Sequence, residues 1–260
     1  MSEITDYWLD RGRKSVWWKG EEYYTIAAVP YYHERRRVLL KMLAADLSTI
    51  KSGQTICDFG CGDGYYLRFF RDRFPNLQWI GVDVSDTMLE RARQRNPGVE
   101  LHNTVREING MVDHCVCIGV FTCIVDEALL TSIFDDIAQK CRSGAMLVVF
   151  EQIAPHEYRK PTLTRRPAQF YIDAFGTRGF RLQKHKLIYY NCHVLFERTL
   201  AKLWYRWFGR GKTDHEIRIN SNQSALFRWM SLFFAKLSCR VVREPDVSKW
   251  GYCYLVFQKD

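Results

Sequence analysis

"CDFGCGDG", residues 57–64, closes a short apolar run and leads straight into "YYLRFFRDRF", residues 65–74. Glycine is used where backbone turns sharply or a ligand approaches it closely. Gly60, Gly62 and Gly64 are spaced G-x-G-x-G, tighter than the G-x-G-x-x-G turn of dinucleotide-binding proteins. About 20 positions further on, where a second strand ends, a carboxylate is the expected partner of ribose hydroxyls. Asp83 in "WIGVDVS", residues 79–85, stands there. The glycine turn is thus read as a strand-to-helix turn facing a ribose-bearing ligand.

The residues around this turn alternate between apolar runs and helical patterns. "QTICDF" (54–59), "LQWIGVDV" (77–84), "VELHN" (99–103), "VDHCVCIGVF" (112–121) and "AMLVVFEQI" (145–153) read as strands. "GYYLRFFRDRF", "DTMLERARQR" and "DEALLTSIFDDIAQKC" read as the helices between them. Strands alternating with helices imply right-handed crossovers and a parallel sheet, and the continuous apolar runs imply cover on both faces. Beyond Glu151, "PAQFYIDAFGTRGF" reads as a helix ended by Gly179 and "RLQKHKLIYY" as a strand. Residues 192–243 read as a basic helical insertion, and "GYCYLVFQK" (251–259) as a final antiparallel edge strand. The expected fold is α/β: a doubly wound seven-stranded sheet, mostly parallel with the last strand antiparallel. N-terminal helices precede it, and the insertion interrupts it before the final strand.

Charge divides along the chain. Residues 1–151 hold 18 Lys and Arg against 21 Asp and Glu, whereas residues 152–243 hold 18 against 5, a net of +13. A stretch so basic suits nucleic acid, an anionic membrane surface or a phosphorylated substrate. Nothing approaches 18 consecutive apolar residues, and the N-terminus lacks the apolar core of a secretion signal. The nine cysteines are odd in number and form no C-x-x-C pair, which argues against a disulfide framework or a metal site and for a reducing cytoplasm. Cys57 and Cys115 sit in strand-like runs and read as small buried hydrophobes.

"DFGCGDG" followed by "GVDVSDTMLERAR" resembles the class I S-adenosylmethionine-dependent methyltransferases, closely over residues 50–151 and loosely over 152–191. The resemblance implies an enzyme with S-adenosylmethionine as cofactor. Gly60, Cys61 and Gly62 would let backbone approach the methionine moiety, with Asp58 toward its amino group. Asp83 would hold the ribose and Val84 would pack on the adenine. An acid is usual at the adenine amino group, but "NTVRE" offers Thr104, so the backbone of Val105 is the expected contact. Gly119 and Phe121 would line the cofactor floor. The whole of 1–260 then reads as one methyltransferase domain. Residues 1–50 form an N-terminal lid, 51–151 the cofactor-binding core and 152–260 the substrate side.

Methyl transfer to a hydroxyl needs alignment, exclusion of water and a base. His156, in "FEQIAPHEYR" after the fifth strand, is the candidate base, with Glu151 or Glu157 to orient it; Glu151 is the second candidate. A solvated loop histidine fits the same pattern. His33 and the tyrosines of "EEYYTIAAVPYYHER" are candidates for the lid, or for packing within it, while Asp113 reads as structural. No Asn/Asp-Pro-Pro-aromatic loop and no Pro-Cys nucleophile follows the fourth strand, which lowers the case for methylation of nucleic-acid bases. The "YYHERRRVLLKML" segment and the long insertion resemble methyltransferases of sugars and glycans. The expected reaction is O-methylation of a sugar hydroxyl, in a glycan or a lipid-linked intermediate at an anionic membrane. RNA, a small metabolite, or a catalytically silent cofactor-binding scaffold are the alternatives. In the insertion, Leu226, Met230, Phe233 and Leu237 share one helical face, as do Phe196, Leu200, Leu203, Trp204 and Trp207 upstream. Two such stripes can bury against each other or lie on a membrane.

Overall fold

The computed structural model describes residues 17–18, 21–22, 29–189, 225–239, 242–243 and 250–260. Two compact units make up the chain. The larger comprises Met1–Lys14, Asp46–Leu187 and Glu244–Asp260, and the smaller comprises Ser15–Ala45 and Ile188–Arg243.

The smaller unit contains the antiparallel pair β1 (Trp17–Trp18) and β2 (Glu21–Glu22). It also holds most of helix α1 (Val29–Leu47), all of α6 (Ala225–Cys239) and the two-residue strand β11 (Val242–Arg243). The helix expected within the N-terminal segment is present over Val29–Leu47; the side chain of His33 and the upstream part of the expected insertion, residues 190–224, lie outside the described residues.

In the larger unit, β3 (Thr55–Phe59), α2 (Tyr65–Arg73), β4 (Gln78–Val82), α3 (Asp86–Arg95) and β5 (Glu100–His102) follow in turn. Then come β6 (Val112–Ile118), α4 (Glu127–Lys140) and β7 (Cys141–Ile153). A hairpin of β8 (Tyr158–Lys160) and β9 (Leu163–Arg165), helix α5 (Ala168–Gly176), β10 (Phe180–Tyr189) and β12 (Gly251–Lys259) complete it. Seven strands lie side by side in the order β5-β4-β3-β6-β7-β12-β10. The pairs β3–β4, β4–β5, β3–β6 and β6–β7 are parallel, and β12 runs antiparallel to β7. The fold expected from the sequence is present.

The sequence dictates this sheet through what each strand can bury. "TICDF" and "QWIGV" are buried at all but their first positions, so both faces are covered. One row across the sheet reads Ile80, Cys57, Cys115, Leu147 and Phe257, all buried. Cys57 and Cys115 are free thiols that fill narrow space. The final strand departs from expectation in one respect. Five consecutive residues of β12, Cys253–Phe257, are buried, and β10 lies outside it, so it is an interior strand. Asp113, at the start of β6, accepts the Thr55 amide at 2.8 Å and meets Arg142 at 3.3 Å, a purely structural use.

Asp46, at the end of α1, accepts a hydrogen bond from the buried Tyr254 hydroxyl of β12 at 2.6 Å and another from Lys184 of β10. Replacing Asp46 by Ala strands a buried hydroxyl, which costs about 1–3 kcal/mol. In chemical denaturation the double variant Asp46→Ala/Tyr254→Phe should recover part of that loss; a double variant less stable than the single one contradicts the assignment.

Candidate functional site

The chain passes from β3 to β4 to β5 on one side of the sheet, then crosses back to β6 on the other. Strand order reverses at the carboxyl end of β3, the place where open α/β sheets bind ligands. Every residue at this point is held by backbone or by a carboxylate. The amides of Gly60 and Cys61 both donate to the Val82 carbonyl, at 2.7 and 2.9 Å, tying the turn to the end of β4. Gly60 has φ +72, and a Cβ there would lie 2.2 Å from Cγ2 of Val120, so it is a close-packing glycine. Gly62 has φ +56 and nothing within 4 Å of where a Cβ would be, so the turn opens onto free space.

Two carboxylates lie at the ends of the strands that meet at this turn. Asp83 accepts the Gly62 amide at 2.9 Å on Oδ2 and the Ser85 amide at 3.0 Å on Oδ1. A carboxylate has about four acceptor positions, so each oxygen keeps one for a hydroxyl. Burial raises its pKa, and those two amides counter the rise. Asp58 is the polar member of a buried row with Gly81, Val116 and Val148. Its Oδ2 is buried with no hydrogen-bond partner. Burial first, and then the charge of Asp83, push its pKa up to about 7. A buried carboxylate without a donor is costly, and a cation would relieve that cost. Val84 stands on the rim 55 % exposed, a large apolar side chain left in the open.

These features fit S-adenosylmethionine. The orphaned Asp58 oxygen suits its ammonium, the free acceptor positions of Asp83 suit its ribose hydroxyls, and exposed Val84 suits a face of its adenine. Gly119 (φ +70, with open space at its Cβ position) follows β6 beside this crevice. Thr104 caps the short 3-10 turn Val105–Glu107 by accepting the Arg106 amide at 3.4 Å, and the Val105 side chain is buried. The Cys61 thiol is also buried, and burial raises its pKa.

Two expected roles require correction. Phe121 is wholly enclosed, its ring 4.9 Å from Phe134 and 6.1 Å from Phe59, Tyr171 and Phe175. So enclosed, it cannot line the crevice as expected. Glu151 is wholly buried. Its Oε1 accepts the amides of Val120 (2.6 Å) and Phe121 (2.7 Å), and its Oε2 accepts the amide (3.2 Å) and hydroxyl (2.6 Å) of Thr122. All four donors belong to the turn after β6, so this carboxylate anchors a loop and has no face for a substrate. His156 is exposed in the bend at 155–156, and Glu157 pairs with Arg159 at 2.5 Å.

Sequence reading missed the counterpart of Glu151. Arg166, completely buried, donates to the carbonyls of Phe121 (3.1 Å) and Ile124 (2.9 Å) and to Glu127 (2.7 Å). A carboxylate thus grips the amides of the turn Phe121–Cys123, and a guanidinium grips its carbonyls. In the sequence, "TRRP" looks like a solvated basic run; the one available signal was an acidic residue, Glu151, ending an apolar strand that has to be paired.

Comparison with known proteins agrees with this geometry. Residues 56–144 match a family model described as a methyltransferase domain. An uncharacterised protein of Rickettsia prowazekii is 25% identical over 142 residues, 51% of this chain and 56% of its own length. The trans-aconitate 2-methyltransferase of Acidovorax ebreus is 41% identical over 66 residues, a quarter (25%) of each chain. The chain thus spans about half or less of the length of these curated relatives. Among solved structures, the O-methyltransferase from a trans-AT PKS multienzyme of Brevibacillus brevis, in complex with S-adenosyl-L-homocysteine, superposes with a TM-score of 0.60. It is 14% identical, and the match covers 91% of this chain and 80% of that one. The fold is one that this chain shares with that methyltransferase structure.

Asp58 makes cofactor binding depend on pH. Its pKa in the folded chain, about 7, lies above the ordinary 3.8, so the ligand-free fold holds a proton that the unfolded chain has already lost. That contribution to stability is complete below pH ~4 and lost as pH rises through ~7. Pairing with an ammonium requires the ionised form, so S-adenosylhomocysteine should release a proton on binding below pH 7. Its affinity should fall by up to about tenfold per pH unit there. Calorimetry in buffers of different ionisation enthalpy reads this directly. Asp58→Asn should weaken binding and flatten the profile, and a flat wild-type profile from about pH 5.5 to 8 contradicts the assignment.

Proposed function

We propose that the protein is an S-adenosylmethionine-dependent O-methyltransferase acting on a sugar hydroxyl in a glycan or glycan intermediate. The observation that carries the methyltransferase part is the buried Asp58 Oδ2 without a hydrogen-bond partner, on the strand that leads into the open turn at Gly62. When bound, S-adenosylmethionine supplies an electrophilic methyl group on a sulfonium. The chain's own part is to hold it with Asp58 and Asp83, and to keep the turn Phe121–Cys123 rigid through Glu151 and Arg166. A base must also accept the hydroxyl proton as the new carbon–oxygen bond forms. With Glu151 committed to four donors, His156 is the remaining candidate beyond β7. The sugar acceptor is supported by the resemblance of the N-terminal segment and insertion to glycan methyltransferases, and by the basic charge of residues 152–243.

The test uses S-adenosylmethionine carrying a labelled methyl group, incubated with the purified protein and cell extract. Label should enter a glycan or sugar fraction, and His156→Ala should lower kcat by about 10²–10⁴ with cofactor affinity unchanged. Label in RNA or in a small carboxylic acid, the latter being the named substrate class of the Acidovorax relative, overturns the sugar acceptor.

A peripheral membrane location is a second element of the proposal, favoured by α6. Leu226, Trp229, Phe233 and Leu237 fall on one face of this helix and are 56, 65, 52 and 43 % exposed. The rings of Trp229 and Phe233 stack at 6.0 Å, and Lys236 is exposed beside them. An exposed aromatic–aliphatic row within a basic stretch suits an anionic lipid surface, where each Lys or Arg adds about 1 kcal/mol. No helix among the described residues is long and apolar enough to cross a membrane. Co-sedimentation should show salt-sensitive binding to anionic vesicles, weakened by Trp229→Ser/Phe233→Ser. Equal binding to neutral vesicles, or none to either, contradicts it.

A further inference from the structure

The hairpin β8–β9 has two unlike faces. Register places Tyr158 opposite Arg165, Arg159 opposite Thr164 and Lys160 opposite Leu163. Side chains alternate along a strand, so Tyr158, Lys160, Leu163 and Arg165 share one face, and Arg159 and Thr164 share the other. The second face is the anchor. Thr164 is fully buried, and Arg159 donates to Glu127 at 2.7 Å, the carboxylate that also receives Arg166.

The first face is presented outward and continues onto Trp250. Tyr158 and Trp250 are each 37 % exposed, and their rings meet edge to face at 5.4 Å. The Arg165 guanidinium lies 5.6 Å from the Tyr158 ring centre and 5.5 Å from that of Trp250. The Lys160 ammonium lies 5.8 Å from Tyr158. Arg159 and Arg166 are matched by Glu157 and Glu127, whereas among the described residues no carboxylate pairs with Arg165 or Lys160. Nε of Arg165 is buried and without a hydrogen-bond partner.

Topology sets this face beside the reaction. The parallel strands β3, β4, β6 and β7 all end at one edge of the sheet, where the cofactor crevice lies. β12 begins at that edge, with Gly251 opposite Ile153, so Trp250 stands there too. The hairpin starts five residues beyond Ile153, and His156 lies in the bend between them.

We propose that Tyr158, Trp250, Arg165 and Lys160 form the acceptor-docking platform, and that its ligand is an anionic sugar. Exposed aromatic rings stack against the apolar C–H face of a pyranose. An arginine fork held against those rings, with lysine beside it, recognises a phosphate or carboxylate on that sugar. This rests on the reading of the chain as a sugar O-methyltransferase.

Saturation-transfer NMR with S-adenosylhomocysteine present tests it, using glucose 1-phosphate, glucuronate, glucose and trans-aconitate as probes. At least one anionic sugar should bind the wild type with transfer to its ring protons, and the two anionic probes tell phosphate from carboxylate. Arg165→Gln and Trp250→Ala should each weaken that binding about tenfold or more, the scale of a hydrogen bond to a charged group for the arginine. Neither should change the thermal midpoint or S-adenosylhomocysteine affinity. Unchanged sugar binding in both variants, binding of trans-aconitate but neither anionic sugar, or no binding of any probe overturns the platform. Absence of S-adenosylhomocysteine binding to the wild type is a different failure, that of the methyltransferase reading itself.

Discussion

A carboxylate buried at the centre of a sheet with one oxygen unpartnered is the constraint around which this molecule is arranged. Asp58 sits between Cys57 and Phe59 in a strand buried on both faces, where any apolar residue would pack at less cost. Protonation or an arriving cation would relieve that cost. The neighbouring features suit the second. The turn beyond it must leave a void, which Gly62 does, and must still be rigid, which the two bonds to the Val82 carbonyl ensure. Asp83 holds the same turn from the second strand while keeping acceptor capacity in reserve.

Glu151 offers the informative contrast. It is as deeply buried as Asp58 and lies near the end of a strand of the same sheet, yet four donors within 3.2 Å satisfy it. Fully satisfied buried charges rigidify what they touch, whereas a half-satisfied one is poised for a ligand. With Arg166 on the carbonyl side, the turn Phe121–Cys123 is gripped through both halves of its backbone. The two carboxylates thus differ at the sheet edge: one fixes the loop, and the other keeps a buried oxygen without a hydrogen-bond partner.

Much of the larger unit was legible in the sequence because its signals are local. The apolar runs and helical spacings announced each element, and the glycine turn with Asp83 one strand later announced the crevice. What was not legible depended on pairing between distant residues. Nothing within "GYCYLVFQK" reveals that "RLQKHKLIYY" would lie outside it, so an interior strand read as an edge. Glu151 looked like a general base because a carboxylate after an apolar run is equally consistent with catalysis and with anchoring. The arginine and backbone amides that decide between these come from residues 15 to 31 positions away. The platform face of β8–β9 was invisible for the same reason, since Trp250 joins it only through the pairing of β12 with β7.

The charge asymmetry of the chain takes on chemical meaning along this edge. Residues 1–151 carry a net −3 and supply Asp58 and Asp83, whose charge would suit a cofactor with a sulfonium and an ammonium. Residues 152–243 carry +13 and supply Arg165 and Lys160. A cationic methyl donor and an anionic acceptor would each be drawn to its own half of the site and repelled from the other. Such sorting favours productive encounter over binding of either ligand in the wrong subsite. It also leaves the hairpin between Glu127 and Trp250 as the boundary between the two fields. There Arg159 and Arg166 neutralise the acidic side through Glu127, while Arg165 and Lys160 stay unmatched among the described residues on the other face.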